Sequence, residues 1–132
     1  MFPRIREIAD QDGSTVRISV ETCPTGIVTT IGDRAPGGSR ILLDRYGTEL
    51  LGGYIMSARL AVRYALPDES TIGRFAARFR LQREPERIIV ITQPNGVRLC
   101  IAQPFWDRLY AELCMIVAHI RSAEQPMHMR LQ

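Results

Sequence analysis

The sequence predicts an α+β fold: two β-β-β-α units forming antiparallel sheet backed by two helices. Three observations predict it. Each half holds short segments with the period of a strand. Each half then closes on a long segment with the period of a helix. The halves also run in the same order. Ser39-Arg40-Ile41-Leu42-Leu43 leads into Tyr46 and a helical pattern, and Gly96-Val97-Arg98-Leu99-Cys100-Ile101 leads into Phe105 and another. A single unit of this kind leaves its apolar face bare, whereas two can share one core.

The elements follow in order. Residues 1–13 are polar and end at the turn signal Asp12-Gly13. Val16, Ile18 and Val20 alternate with Arg17, Ser19 and Glu21, which predicts a half-buried strand. Cys23-Pro24-Thr25-Gly26 reads as a turn. The β-branched run 27–31 reads as a second strand. The segment 33–38 is a loop, and 39–43 is a third strand.

Tyr46, Leu50, Leu51, Tyr54, Ile55, Ala58, Val62 and Ala65 then recur at helical spacing, with Asp44 or Thr48 as the cap. Pro67 predicts the stop, because the residue before a proline disfavours helix.

The second half restarts with a strand over 72–83. Phe75, Ala77, Phe79 and Leu81 face one way, and Arg74, Arg78, Arg80 and Gln82 the other. Residues 88–92 are apolar on both faces. Gln93-Pro94-Asn95-Gly96 is a hairpin turn returning through 97–101. Pro104 suits the first turn of the last helix, whose stripe is Phe105, Leu109, Leu113, Ile116 and Ile120. Periodicity fades after Ser122. The expected layout is one domain of two tandem units, about 14–67 and 70–122, with a frayed tail over 123–132.

Composition bounds the function. With 132 residues, 45% hydrophobic and 23% charged, the chain reads as an ordinary globular protein. No apolar run reaches the ~20 residues that span a bilayer. The N-terminus lacks the apolar core of a signal peptide, so a cytoplasmic location is expected. Cys23, Cys100 and Cys114 lack zinc-site spacing and are expected to pack as reduced, small apolar residues. No metal and no cofactor is expected, and His119 and His128 are not expected to meet. No catalytic motif occurs, so the chain is not expected to be an enzyme.

All 17 basic residues are arginine. Alternation puts Arg17, Arg40, Arg74, Arg78, Arg80 and Arg98 out of phase with the apolar residues of their strands. If helices cover one face, these six share the open one. Guanidinium groups there can track phosphates or stack on unpaired bases. The competing reading is an ordinary polar face with its arginines paired or solvated. Gly37-Gly38-Ser39-Arg40 could form a small anion nest, with a plain flexible loop as the competing reading.

Both helices carry apolar residues beyond one stripe. Gly52, Gly53, Met56, Leu60, Trp106 and Met115 therefore form the expected oligomer interface. A homo-oligomer and single-stranded nucleic acid are the expected partners, with no membrane contact.

The segments Arg98-Leu99-Cys100-Ile101-Ala102-Gln103-Pro104-Phe105-Trp106-Asp107-Arg108-Leu109 and Arg40-Ile41-Leu42-Leu43-Asp44-Arg45-Tyr46 each join a basic strand end to a helix. This layout resembles single-stranded nucleic-acid binders of the Whirly and Pur-alpha type. The likeness spans roughly residues 14–122 by topology. It implies a curved antiparallel sheet backed by helices, and an accessory or regulatory protein that binds single-stranded DNA or RNA. The alternative is an oligomeric structural or protein-interaction module that binds no nucleic acid.

Overall fold

The computed structural model describes residues 4–9, 15–24, 26–33 and 38–130. The Asp12-Gly13 turn, Thr25 and residues 34–37 of the expected loop and nest lie outside them. The first half runs β1 (Arg4–Ala9), β2 (Thr15–Cys23), β3 (Gly26–Asp33), β4 (Arg40–Leu43) and α1 (Arg45–Leu60). The second runs β5 (Glu69–Ser70), β6 (Arg78–Gln82), β7 (Ile88–Thr92), β8 (Arg98–Ala102), a 3-10 turn (Gln103–Phe105) and α2 (Trp106–Arg130). The two sheets are antiparallel, with orders β1-β2-β3-β4 and β5-β6-β7-β8. The class is α+β, and each half holds four strands rather than the expected three.

The added strands explain themselves. β1 pairs with β2 in a register that turns Arg6 and Ile8 to the same face as Ile18 and Val16. Arg6 meets Glu112 of α2 at 3.4 Å, so a charged residue sits on the inward side and breaks the alternation. β5 is only two residues long. The expected strand over 72–83 shortens to β6, because Gly73 (φ 101°) opens a turn that takes Arg74 and Phe75 off the sheet.

One continuous core draws on both sheets and both helices. Ile18, Ile31 and Ile41 come from the first sheet and Phe79, Ile91 and Leu99 from the second. Leu51, Tyr54 and Ile55 of α1 and Trp106, Leu109 and Leu113 of α2 fill the space between. α1 packs on β3, β4 and β6 as well as on α2, so it bridges the halves.

Asp44 caps α1, its carboxylate accepting from the Gly47 N–H at 2.8 Å. The buried Thr48 hydroxyl donates to the Asp44 carbonyl at 2.7 Å and lies 3.0 Å from the Thr29 hydroxyl of β3. Tyr46 is 62% exposed whereas Phe105 is 5% exposed, so the two helix-opening aromatics do not play equivalent roles. α1 ends at Leu60, short of the stop expected at Pro67. Arg83 and Arg87 take the carbonyls of Ala58, Ala61 and Val62, and this tertiary capture ends the helix early. α2 instead continues to Arg130, past the point where fraying was expected. It runs through Pro126, whose missing backbone N–H leaves one helix carbonyl without its usual donor.

Gln93 joins the halves. Its amide oxygen accepts from the Leu42 N–H at 3.1 Å, and its nitrogen donates to the Leu42 carbonyl at 2.8 Å and to the Ala76 carbonyl at 3.2 Å. The side chain completes the β4 edge as a strand would. Gln93→Ala is expected to cost about 1–3 kcal/mol, since it strands half-buried backbone groups. Urea unfolding measures it.

Tyr54 is 0% exposed and packs on Phe79, with ring centroids 5.9 Å apart. Its hydroxyl has no hydrogen-bond partner among the described residues. Burial, with Asp68 adding to it, pushes the phenol up to about 12 from its ordinary value of 10.0. The unfolded chain therefore releases this proton first as pH rises. The contribution to stability is complete below pH 10 and is lost on the way to pH 12. Tyr54→Phe is expected to remove that loss without lowering stability at neutral pH. Denaturant midpoints of the two proteins at pH 7 and pH 11 give the comparison.

Candidate nucleic-acid interface

Register decides what the outer sheet faces carry. In the second sheet Ser70 pairs with Arg78, Arg78 with Thr92, and Thr92 with Arg98. All four point away from Phe79, Ile91 and Leu99. The result is one row across β5–β8 in which hydroxyl and guanidinium groups alternate. The next outward row is Arg80, Val90 and Cys100. Strands lie about 4.8 Å apart, so Arg78 and Arg98 leave the backbone about 10 Å apart on either side of Thr92.

Their side chains close that distance. Arg78, Arg80 and Arg98 line a shallow hollow of about 260 Å³ with Val90 and Thr92. Val90 is only 2% exposed, although its ladder neighbours Arg80 and Cys100 are exposed. The three arginines that share the hollow are themselves exposed, so their guanidinium groups are open to solvent.

The first sheet has a matching row. Glu7 pairs with Arg17, Arg17 with Gly32, and Gly32 with Arg40. Gly32 occupies the place that Thr92 holds in the second sheet. A Cβ there would lie 2.7 Å from the Ser39 carbonyl oxygen, so only glycine lets β4 close on β3.

An arginine of each row also makes an ion pair of the same geometry. Arg17 reaches Glu7, ten residues before it, through Nε at 3.2 Å and Nη2 at 2.6 Å. Arg78 reaches Asp68, ten residues before it, through Nε at 3.1 Å and Nη2 at 2.6 Å. Both arginines present the same forked edge to a carboxylate, the edge that also suits a phosphate. Arg40, Arg80 and Arg98 have no ion pair among the described residues. Sequence reading missed Glu7 and Asp68, although the shared ten-residue spacing to an arginine was there to be seen.

The six predicted arginines thus divide. Arg78, Arg80 and Arg98 come together. Arg17 and Arg40 flank Gly32 on the other sheet. Arg74 is corrected: it lies in the 73–76 turn, with its guanidinium 5.3 Å from the Phe75 ring centroid. There it lines a separate hollow with Val28 and Asp44.

The predicted oligomer set divides as well. Trp106 is corrected: it is buried, its indole N–H donates to the Ile101 carbonyl at 2.9 Å, and Arg87 stacks on its ring. Gly52 and Gly53 line a groove toward Tyr110 and Cys114 of α2, and a Cβ at either would meet nothing within 4 Å, so no close helix approach depends on them. Met56 is half-buried, while Leu60 and Met115 are exposed.

Cys100 and Cys114 are exposed free thiols, not packed apolar residues, while the Cys23 side chain lies outside the described residues. Among the described residues no group of three or more His, Cys, Asp or Glu could hold a metal. Nor is any helix among them long and apolar enough to cross a membrane. No family model matches the chain, and no curated protein matches it in sequence.

Proposed function

We propose that this protein binds single-stranded DNA or RNA on the arginine-bearing faces of its sheets, as a cytoplasmic accessory or regulatory factor. The observation that carries this reading is that Arg78, Arg80 and Arg98 line one hollow with Thr92 and a buried Val90. The matching row on the first sheet supports a second contact of the same kind. The shared strand order and the shared ten-residue ion pair favour tandem duplication of one binding unit. The resemblance to Whirly and Pur-alpha proteins leans the same way. In this reading the protein is a binder without catalytic chemistry or cofactor, and the mechanism is phosphate neutralisation.

The test is fluorescence anisotropy with a labelled single strand across a salt series. Engaging three to five phosphates predicts that log K falls against log salt with a slope of about −2 to −3.5. No binding at low salt would remove the proposal.

A second reading is an oligomeric interaction module. Leu60, Val62 and Tyr64 favour it, being large, exposed and close together at the end of α1. Light scattering decides it, and a strict monomer counts against it.

A further inference from the structure

We infer that the ligand is recognised through its phosphodiester chain and not through its bases. The inference rests on the nucleic-acid reading and narrows it. Single-strand binders that hold bases do so on aromatic platforms. On the second sheet, none of the outward residues of β5–β8 is aromatic. Phe79, on β6, points to the opposite face and is fully buried. Trp106 and Phe105, which follow β8, are buried in the core. Phe75 is half-buried in its turn, with Arg74 over the ring.

What the face offers instead suits phosphate oxygens. Arg78 and Arg98 flank the Thr92 hydroxyl in one row, and Ser70 extends the row with another. Arg98 brings a forked edge with no ion pair among the described residues, Arg78 brings one that a phosphate would share with or take from Asp68, and Thr92 and Ser70 bring hydroxyl donors. A second hollow shares Arg78 and Thr92 with the first and continues to Ser70 and Thr71, so the donors form a track instead of a single point. Val90, the apolar residue in the hollow, is 2% exposed and so offers a base no apolar platform either. A chain of regularly spaced single negative charges is the ligand chemistry that fits.

The experiment compares three single strands of equal length at one low salt concentration. One is homothymidine, one is of mixed sequence, and one is abasic, with every phosphodiester kept and every base removed. Binding is read by anisotropy for the protein and for an R80Q/R98Q double variant. The expected result is equal affinity for all three strands and an equal loss for all three in the variant. Losing even one stacked base is expected to weaken binding about fivefold or more. A weaker abasic strand with the other two still bound therefore overturns this inference and leaves the nucleic-acid reading standing. Failure of all three strands to bind overturns both.

Discussion

Replacing Arg80 and Arg98 together by glutamine is expected to weaken single-strand binding by about tenfold or more and to flatten its salt dependence. Each phosphate left without its arginine should lower the slope of log K against log salt by about 0.7, so two should remove about 1.4. These two arginines are chosen because they line the hollow yet have no ion pair among the described residues, so their replacement does not unpair a carboxylate. Both positions are exposed on the sheet surface, so the unfolding midpoint should barely move. Lysine at both positions restores charge but not the planar fork, and binding should recover only in part.

The same assay has an arm of opposite sign. Glu7 and Asp68 occupy the forked edges of Arg17 and Arg78, at 2.6 Å to Nη2 in each case. A phosphate must displace them to use that edge. Glu7→Gln with Asp68→Asn is therefore expected to strengthen binding, by up to about fivefold per pair, since an exposed ion pair is worth about 0–1 kcal/mol. If the carboxylates serve only to clasp β1 and the 61–68 segment, affinity will stay level while stability falls.

The second large effect is on the fold. Trp106→Ala is expected to cost about 3–5 kcal/mol, a large part of the ~5–15 kcal/mol that holds a domain of this size. Trp106 is 1% exposed, and its loss leaves a cavity under the start of α2. It also frees the Ile101 carbonyl at the end of β8. The damage spreads through Arg87, which stacks 5.2 Å from the indole centroid while bonding the Ala58 carbonyl at the end of α1. Trp106→Phe keeps most of the volume and should cost about 1–3 kcal/mol, mainly for the unpaired carbonyl. Urea unfolding separates the two variants. Equal midpoints for Trp106→Ala and the wild type would mean that the core does not depend on this residue.

How much of this could be read beforehand depends on which interactions are local. Val16, Ile18 and Val20 declared β2 because their alternation is set by the pleat alone. Asn95-Gly96 declared its hairpin because Gly96, at φ 88°, needs the left-handed region. Asp44 and Thr48 were both legible as caps of α1, and the carboxylate of Asp44 takes the role. Long-range partners hid the rest. Arg6 faces inward because Glu112, on the far helix, receives it. α1 stops at Leu60 because Arg83 and Arg87 arrive from the second half. Trp106 looked like a surface residue because the partners of its ring and indole N–H come from outside its own helix. For the candidate site, strand phase was enough to place Arg78, Arg80 and Arg98 on one face. It could not show that Val90, outward on β7 beside them, would be buried at 2% exposure.

Gln93 has a consequence for self-association. A terminal strand normally presents unpaired backbone groups that a neighbouring molecule can extend into a fibril. At Leu42 a single carboxamide already occupies both rungs. β4 is thus blocked at that position without a covering strand, so an incoming chain cannot form a continuous ladder along it.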